Sequence, residues 1–289
     1  MLQRIGNLPV ARSVAELRRV VATWRHAGDI VALVPTMGAL HRGHLALLAH
    51  GKSLADRVVA SVFVNPTQFG PNEDFARYPR DEAGDAAKLA AAQCDLLYAP
   101  VVEEMYASGF TTTVSPGPLA ETLCGRFRPG HFAGVATVVT KLLLQARPDF
   151  ACFGEKDYQQ LQIIRRVARD LDIPVRIEGV PTVREEDGLA LSSRNAYLSA
   201  EERRVAPALH RVLVETVARV TAGVPVEAAI GEGLEALLHA DFNKVDYIDI
   251  RDADTLDPLG APQRPGRVLA AAWLGKTRLI DNEPLPPRG

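Results

Sequence analysis

Apolar runs of strand length alternate with segments of helical apolar spacing through about the first 180 residues. Buried strands give short continuous apolar runs, whereas surface helices repeat apolar positions every three or four residues. The alternation is typical of βαβ units and predicts a Rossmann-like, doubly wound parallel sheet, an α/β fold. The predicted strands are 29–34, 57–64, 95–99, 149–153 and 175–179, and the predicted helices are 13–27, 43–55, 81–93, 131–145 and 157–171, the first opened by a capping box of Ser13 and Glu16.

The pattern changes beyond residue 182. A polar loop is followed by two helical stretches, 200–220 and 226–240, and then by strands at 245–251, 268–273 and 278–281. Helices followed by strands indicate a smaller α+β domain. We therefore expect a Rossmann-like domain that binds the substrates at residues 1–182 and a C-terminal lid domain at residues 183–289.

Composition narrows the class of protein. The 289 residues include 33 basic and 35 acidic side chains, giving a formal net charge of −2. The chain thus lacks the excess of basic residues that is typical of nucleic-acid-binding proteins, and we expect no nucleic-acid partner. We find no apolar stretch of about 18 residues and no signal-peptide pattern at the start, which predicts no membrane association. Three widely spaced cysteines form no CxxC pair and are expected to be buried thiols of a cytoplasmic protein.

The segment after the first predicted long strand carries the first candidate chemistry. It contains His41 and His44, with Gly43 between them, where a strand hands over to a helix. Ligands of open α/β sheets bind at this edge, and a helix N-terminus favours an anion. A pair of helix-capping histidines and a zinc site are the alternatives, although no third metal ligand is near in sequence. No GxGxxG motif follows this strand, and both GK[ST] sequences lack the first glycine of a phosphate-binding loop.

Two later segments are also predicted to face a phosphate-bearing ligand. Lys156 follows the strand at 149–153, so its cation is expected at the same sheet edge, unless it is an ordinary surface lysine. Ser192, Ser193 and Arg194 follow a polar loop and could clamp phosphates with two hydroxyls and a guanidinium. The alternative is an ordinary loop in which Ser199 caps the next helix, and the two roles can coexist.

These motifs carry a family resemblance. Residues 41–44 (HRGH) are similar to the HxGH signature of class I aminoacyl-tRNA synthetases and small nucleotidylyltransferases. Together with five further segments, in order along nearly the whole chain, they resemble the pantothenate synthetase family. The five segments are 63–69 (FVNPTQF), 78–80 (YPR), 128–132 (RPGHF), 153–160 (FGEKDYQQ) and 191–195 (LSSRN).

The resemblance implies a ligase that condenses (R)-pantoate with β-alanine through a pantoyl adenylate, releasing AMP and pyrophosphate. It implies that four residues are catalytic, namely His41, His44, Lys156 and Arg194. It implies an ATP site of Pro35, Thr36, Met37, Gly38, His41, Gly43, His44, Gly154, Lys156, Asp157, Leu191, Ser192, Ser193 and Arg194. Leu191 departs from the Met that many members have at this position, a volume-conserving change.

The resemblance implies a pantoate set of Met37, Asn65, Gln68 and Gln160. The neutral amides of the two glutamines suit a substrate with hydroxyl groups. Asn65 could instead only shape its Asn-Pro turn, and Tyr78 could be a gate or merely an anchor of its loop. Mg²⁺ is expected with ATP, and Asp157 and Asp81 are the candidate ligands. The resemblance also implies a homodimer.

Three other functions fit part of this pattern. A nucleotidylyltransferase would share the histidine motif but would need a basic pocket for a phosphorylated substrate, where this chain offers Gln68 and Gln160. A non-catalytic nucleotide sensor would bind ATP without turnover. An RNA-charging enzyme would need a basic face and an anticodon-binding extension.

Overall fold

The chain folds into two compact units in the computed structural model, which describes residues 2–71 and 73–288. The first unit comprises Met1–Glu155 and Ile163–Pro181, and the second comprises Lys156–Gln162 and Thr182–Gly289. The start of the helix after residue 157 therefore groups with the second unit, although the chain on both sides of that short segment belongs to the first. The roles that we assign to residues 1–182 and 183–289 stay predictions.

A seven-stranded sheet forms the centre of the first unit. Its strands are β1 (Gln3–Ile5), β2 (Leu8–Ala11), β3 (Val31–Thr36), β4 (Arg57–Val62), β5 (Leu96–Tyr98), β6 (Phe150–Gly154) and β7 (Arg176–Val180). The spatial order is β1-β2-β5-β4-β3-β6-β7, with β1 antiparallel to β2 and every other neighbouring pair parallel. Strand order reverses between β3 and β6, which makes this the switch point where doubly wound sheets bind ligands. The predicted fold class is confirmed.

The two strands at the switch point part toward their carboxyl ends. β3 pairs with β6 at Ala32–Phe150 and Leu33–Ala151, and each strand then continues for three residues, to Thr36 and Gly154. A Cβ built on Gly154 would meet no atom within 4 Å, so the backbone is open there. The segments that directly follow β3 and β6 carry the histidine motif and Lys156.

The described chain forms seven α-helices between residues 14 and 170. They are α1 (Val14–His26), α2 (Arg42–Leu54), α3 (Glu82–Ala91), α4 (Val102–Met105), α5 (Cys124–Phe127), α6 (His131–Ala146) and α7 (Tyr158–Asp170). The Ser13 hydroxyl accepts the Glu16 amide, as the capping box requires. The Glu16 carboxylate also accepts the amide of Arg12 at 2.8 Å, and hydrogen bonds from the backbone of Arg12 and Ser13 lower its pKa.

The second unit contains a three-stranded antiparallel sheet packed with helices. Its remaining elements are α8 (Ala200–Val205), α9 (Ala208–Thr221), α10 (Val226–His239), β8 (Lys244–Asp252), β9 (Gly266–Leu274) and β10 (Thr277–Leu285), with strand order β10-β9-β8. An apolar core joins α9 and α10 to the sheet, as expected for an α+β domain. The single helix predicted at 200–220 is two helices, since Pro207 has no N–H with which to continue α8.

The cysteines are buried as predicted. Cys94, Cys124 and Cys152 are free thiols, and burial raises the pKa of Cys94 to about 11 and that of Cys152 to about 12. Both groups are therefore protonated and unreactive at neutral pH. In residues 2–71 and 73–288, no helix is both long and apolar enough to cross a membrane.

Candidate active site

A buried carboxylate holds the turn that follows β3. Gly38 and Ala39 both have left-handed backbone, with φ of 84° and 51°. Asp85 of α3, which is 1% exposed, accepts hydrogen bonds from the amides of Ala39 and Leu40, each at 2.8 Å. Lys88, on the next turn of α3, donates to the Leu40 carbonyl at 2.8 Å. The turn is thus fixed through its backbone by two charged side chains of a neighbouring helix.

Sequence reasoning missed Asp85. One signal was present, because Asp85 lies four residues before the buried Leu89 and so occupies the inward face of α3. A charged residue on such a face needs a partner. The same contact restricts Gly38, where a Cβ would lie 2.9 Å from the Asp85 carboxylate.

The two histidines cap the N-terminus of α2. His41 Nδ1 accepts the amide of Gly43 at 3.1 Å, and the amide of His41 donates to His44 Nδ1 at 3.2 Å. The capping interpretation is therefore correct, and it is compatible with a role toward a ligand. Because each Nδ1 is an acceptor, a neutral ring carries its proton on Nε2, where it can donate to an anion. The rings are 4.0 Å apart, and the helix end adds its own preference for negative charge.

Met37, Asn65 and Gln68 are brought together next to this turn. The Asn65 amide nitrogen donates to Gln68 Oε1 at 2.9 Å, and Gln68 Nε2 contacts Met37 Sδ at 3.2 Å. Asn65 is 1% exposed, and its oxygen also accepts the Tyr106 hydroxyl at 2.8 Å and the amide of Thr67. Asn65 therefore does shape its turn, a short 3-10 helix at Pro66–Gln68.

Helix α6 supports the same turn from another side. Asn65 Nδ2 also donates to the Gly134 carbonyl, at 3.2 Å. A Cβ on Gly134 would lie 2.3 Å from the carbonyl oxygen of Thr67 and 2.8 Å from Gln68 Cα. Only glycine allows α6 to approach this closely. A glycine among the apolar residues of the first half of a predicted helix is the sequence signal that could have pointed to this contact.

Tyr78 is buried in the loop between β4 and α3. Its ring packs edge-on against Phe69 at 5.9 Å, and its carbonyl accepts a hydrogen bond from Arg80. Tyr78 is therefore an anchor of the loop in this structure, and its role as a gate stays a prediction. Asp81 caps α3 by accepting the amide of Gly84 at 2.9 Å.

In the second unit, the segment that carries Lys156 is tied to the antiparallel sheet. Asn282 of β10 donates to the Lys156 carbonyl at 2.9 Å. The Tyr158 hydroxyl and the side-chain Nε2 of Gln162 both donate to the Ala253 carbonyl, at 3.0 and 2.9 Å. The Lys156 side chain is 19% exposed and its Nζ lies 3.8 Å from Asp157 Oδ2, which disfavours an ordinary surface lysine.

The segment at 191–195 begins with a local cap. The Ser192 hydroxyl accepts the amide of Arg194 at 3.2 Å and starts a 3-10 helix at Ser193–Tyr197. A hydroxyl that accepts still has its own proton to donate. Leu191 is buried and its amide donates to the Val183 carbonyl at 3.0 Å. Ser199 forms a full capping box at the start of α8, so the capping prediction is confirmed.

Ion pairs anchor the loop that precedes this segment. Arg184 binds Asp281 at 2.6 Å and Glu283 at 2.5 Å, and it also donates to the Gly188 carbonyl at 3.1 Å. Burial acts to lower the pKa of Arg184, but the two carboxylates outweigh burial and raise it. His210 contacts the same Glu283 at 3.0 Å. Residues 184–190 are thus fixed to β10 through charged side chains.

The comparisons with known proteins agree with one another. Residues 9–284 match the pantoate-beta-alanine ligase family. The chain is 63% identical to pantothenate synthetase of Paramagnetospirillum magneticum, covering 96% of this chain and 98% of that protein. It is 60% identical to pantothenate synthetase of Rhodospirillum rubrum, covering 95% and 98%.

Solved structures give the same result. The crystal structure of pantothenate synthetase from Thermus thermophilus has a TM-score of 0.91 at 50% identity, covering 96% of this chain and 99% of that one. Pantoate-beta-alanine ligase from Francisella tularensis, complexed with beta-gamma ATP and β-alanine, has a TM-score of 0.79 at 33% identity, covering 96% and 97%. The family match and these identities show that the chain belongs to the pantoate-beta-alanine ligase family.

Proposed function

We propose that this protein is a ligase that condenses (R)-pantoate with β-alanine at the expense of ATP, giving pantothenate, AMP and pyrophosphate. The observation that carries the proposal is the family match over residues 9–284. The buried Asp85 that fixes the turn before His41 and His44 agrees with a site built to hold a phosphate group.

The reaction has two steps. A carboxylate oxygen of pantoate attacks the α-phosphorus of ATP, and the bond from that phosphorus to the pyrophosphate oxygen breaks. The amine of β-alanine then attacks the acyl carbon, loses a proton and displaces AMP. Carboxylates are poor acyl donors, and adenylation supplies the leaving group. The protein contributes positioning and stabilisation of the charge that develops on phosphate oxygens.

In the first step, cationic and hydrogen-bond-donating groups stabilise the charge on the phosphate oxygens. His41, His44, Lys156 and Arg194 are the proposed catalytic residues, with Nε2–H groups, an ammonium and a guanidinium directed at phosphate oxygens. The other proposed ATP-binding residues are Pro35, Thr36, Met37, Gly38, Gly43, Gly154, Asp157, Leu191, Ser192 and Ser193.

Amide groups are proposed to recognise pantoate. Gln68 and Gln160, with Met37 and Asn65, form the proposed pantoate set. Asn65 acts chiefly by orienting Gln68, since its own amide atoms are engaged within the turn. A neutral amide binds hydroxyl groups without neutralising the carboxylate that must attack.

Magnesium is proposed to enter as the MgATP substrate. In the described parts of the chain, 2–71 and 73–288, no group of three or more His, Cys, Asp or Glu side chains could hold a metal ion. Mg²⁺ often keeps several water ligands and is bound by one or two carboxylates together with substrate phosphates. Asp157, whose side chain is 47% exposed, fits a supporting ligand better than Asp81, which caps α3.

Assembly and location are proposed from the resemblance and from the thiols. We propose a homodimer, which light scattering at micromolar concentration would detect as twice the 31.3 kDa chain mass. A cytoplasmic location agrees with three free, buried cysteines.

An isotope experiment tests the reaction. Pantoate with both carboxylate oxygens labelled by ¹⁸O, incubated with MgATP and β-alanine, should transfer one label to AMP, because the bridging oxygen of the adenylate leaves with the phosphate. Mass spectrometry of AMP and pantothenate reads the result. Label in inorganic phosphate together with ADP would contradict the adenylate route. Pantoate alone should also drive ATP–pyrophosphate exchange, which neither a nucleotide sensor nor an enzyme that requires a phosphorylated acceptor would show.

A further inference from the structure

A chain of three side chains ends on the backbone of Gln68. Arg128 donates two hydrogen bonds to Glu73, from Nε to Oε1 at 2.7 Å and from Nη2 to Oε2 at 2.6 Å. Its remaining terminal nitrogen, Nη1, lies 3.0 Å from His131 Nε2. His131 Nδ1 in turn lies 2.8 Å from the carbonyl oxygen of Gln68. All four residues are described in the first unit.

The direction of each hydrogen bond in this chain is fixed by chemistry. A guanidinium has no acceptor, so Arg128 donates and His131 Nε2 accepts. The imidazole then carries its proton on Nδ1, which donates to the Gln68 carbonyl. Arg128 Nη2 also approaches that carbonyl at 3.5 Å. Burial raises the pKa of Glu73, but Arg128 outweighs burial and lowers it, so Glu73 is an anion that holds the guanidinium in place.

The three side chains of this hydrogen-bonded series are well buried for polar and charged groups. His131 is 9% exposed, and the Arg128 and Glu73 side chains are 15% and 26% exposed. A bidentate ion pair that is buried to this extent has a defined geometry, so Arg128 can hold the His131 ring in a fixed orientation. Asn65 and Gly134 constrain the Gln68 side chain and Cα, whereas this chain constrains its carbonyl.

We propose that Arg128, acting through His131 and held by Glu73, is a positioning residue that sets the orientation of Gln68 and thereby the recognition of pantoate. This inference rests on the proposed function of Gln68. It gives a role to the sequence at 128–132, whose residues have no place in the ATP or pantoate sets. A displacement of about 1 Å in a substrate-positioning group can cost on the order of 100-fold in rate.

A double-mutant cycle tests the proposal in the full-length protein. Arg128→Gln should lower kcat/KM for pantoate by roughly 10- to 100-fold, mainly through KM, while KM for ATP changes less than about twofold. In a Gln68→Ala background the same substitution should change kcat/KM by less than about twofold, because the group that it positions is already absent. Arg126→Gln is the matched control, since Arg126 is exposed on α5, two residues before Arg128.

Two outcomes of the cycle would overturn the proposal. Equal losses from Arg128→Gln in the wild-type and Gln68→Ala backgrounds would mean that Arg128 acts independently of Gln68. Matching increases in KM for ATP and pantoate would mean a general loss of structure. If Arg128→Gln does not fold, His131 provides the second test. In His131→Asn, the side-chain N–H can replace Nδ1–H as the donor to the Gln68 carbonyl. This variant should keep a kcat/KM for pantoate at least about fivefold higher than that of His131→Leu. Equal values for the two variants would also overturn the proposal.

A measurement without substrates separates this inference from the proposed function. Amide hydrogen exchange over residues 65–71 should be faster in Arg128→Gln than in the wild type and in Arg126→Gln, with exchange in β3 unchanged. Unchanged exchange at 65–71 would count against the positioning role even if the ligase activity is established. A wild-type protein that forms no pantothenate would remove the proposed function, while faster exchange would still show that Arg128 holds the turn.

Discussion

The two segments proposed to bind phosphate groups are held in different ways. The segment 38–44 of the first unit is fixed by direct bonds to its backbone, from the buried Asp85 at Ala39 and Leu40 and from the histidine caps that follow. The Leu191–Arg194 segment of the second unit has a local serine cap, and its strong ion pairs lie upstream, at Arg184. One site is organised through backbone amides at a helix end, and the other through side chains at the base of a loop.

The two segments therefore differ in how far their phosphate-binding groups are held in place before the substrate binds. Donors that are held before the substrate arrives cost no reorganisation during reaction, which is the most effective form of electrostatic stabilisation. We expect the cationic side chain of the Leu191–Arg194 segment to be less preorganised, because the bonds described above hold the segment's backbone and the base of its loop. We therefore expect substitutions at the His41 turn to disturb geometry, and substitutions of second-unit cations to remove charge without disturbing the fold.

Replacing Lys156 gives the largest expected effect. Lys156→Ala removes a cation whose backbone is held by Asn282, so the fold should survive while the adenylation rate falls by on the order of 10² to 10³. Single-turnover formation of AMP measures the rate, and circular dichroism checks the fold. The exposed Lys276→Ala serves as the control. A Lys156→Ala enzyme with near-normal turnover would show that this unit contributes no essential charge through Lys156.

The pantoate glutamines allow the next comparison between the units. A pantoate analogue that lacks one hydroxyl would leave a buried amide without its partner, at about 1 to 3 kcal/mol, so kcat/KM should fall roughly 5- to 150-fold. Gln160→Leu should erase much of that discrimination and weaken pantoate, with ATP affinity nearly unchanged. Steady-state kinetics with both acids measures the ratio. If the variant instead loses ATP binding and keeps its preference for the hydroxylated acid, Gln160 belongs to the nucleotide side.

Local sequence signals predicted the main elements, and long-range pairing explains what they missed. The alternation of apolar runs placed β3 to β7 correctly to within a few residues, because buried parallel strands are continuous apolar segments. β1 and β2 were not predicted, since strands of 3 and 4 residues are stable only through their neighbours in the sheet. The grouping of Lys156–Gln162 with the second unit agrees with its contacts with Ala253 and Asn282, which lie 91 to 126 residues away along the chain.

In the candidate site too, residues in local motifs were predicted and residues that act across long sequence distances were not. Motif residues such as His41, His44 and Gln68 were found because their types and spacing are local. Asp85, Arg128 and Gly134 were not assigned roles, because each acts on a turn that lies 45 or more residues away along the chain and meets it only after folding. Sequence identifies the groups that meet a ligand more readily than the groups that hold them.

Changing Asp85 has the smallest expected effect and tests the first half of the comparison most directly. Asp85→Asn keeps one oxygen acceptor for the amides of Ala39 and Leu40, but its NH₂ group faces the other amide and the charge opposite Lys88 is lost. We expect a loss of roughly 1 to 2 kcal/mol in the free energy of unfolding and a fall of about 5- to 10-fold in kcat/KM for ATP. Asp56→Asn is the control, because exposed Asp56 accepts a single backbone amide, that of Ile30, and its change should stay within about 0.5 kcal/mol. Urea denaturation and ATP kinetics measure the two quantities. A stable Asp85→Asn protein with normal ATP kinetics would mean that the helix caps alone hold the turn, and the contrast between a preorganised first segment and a base-anchored second one would then fail.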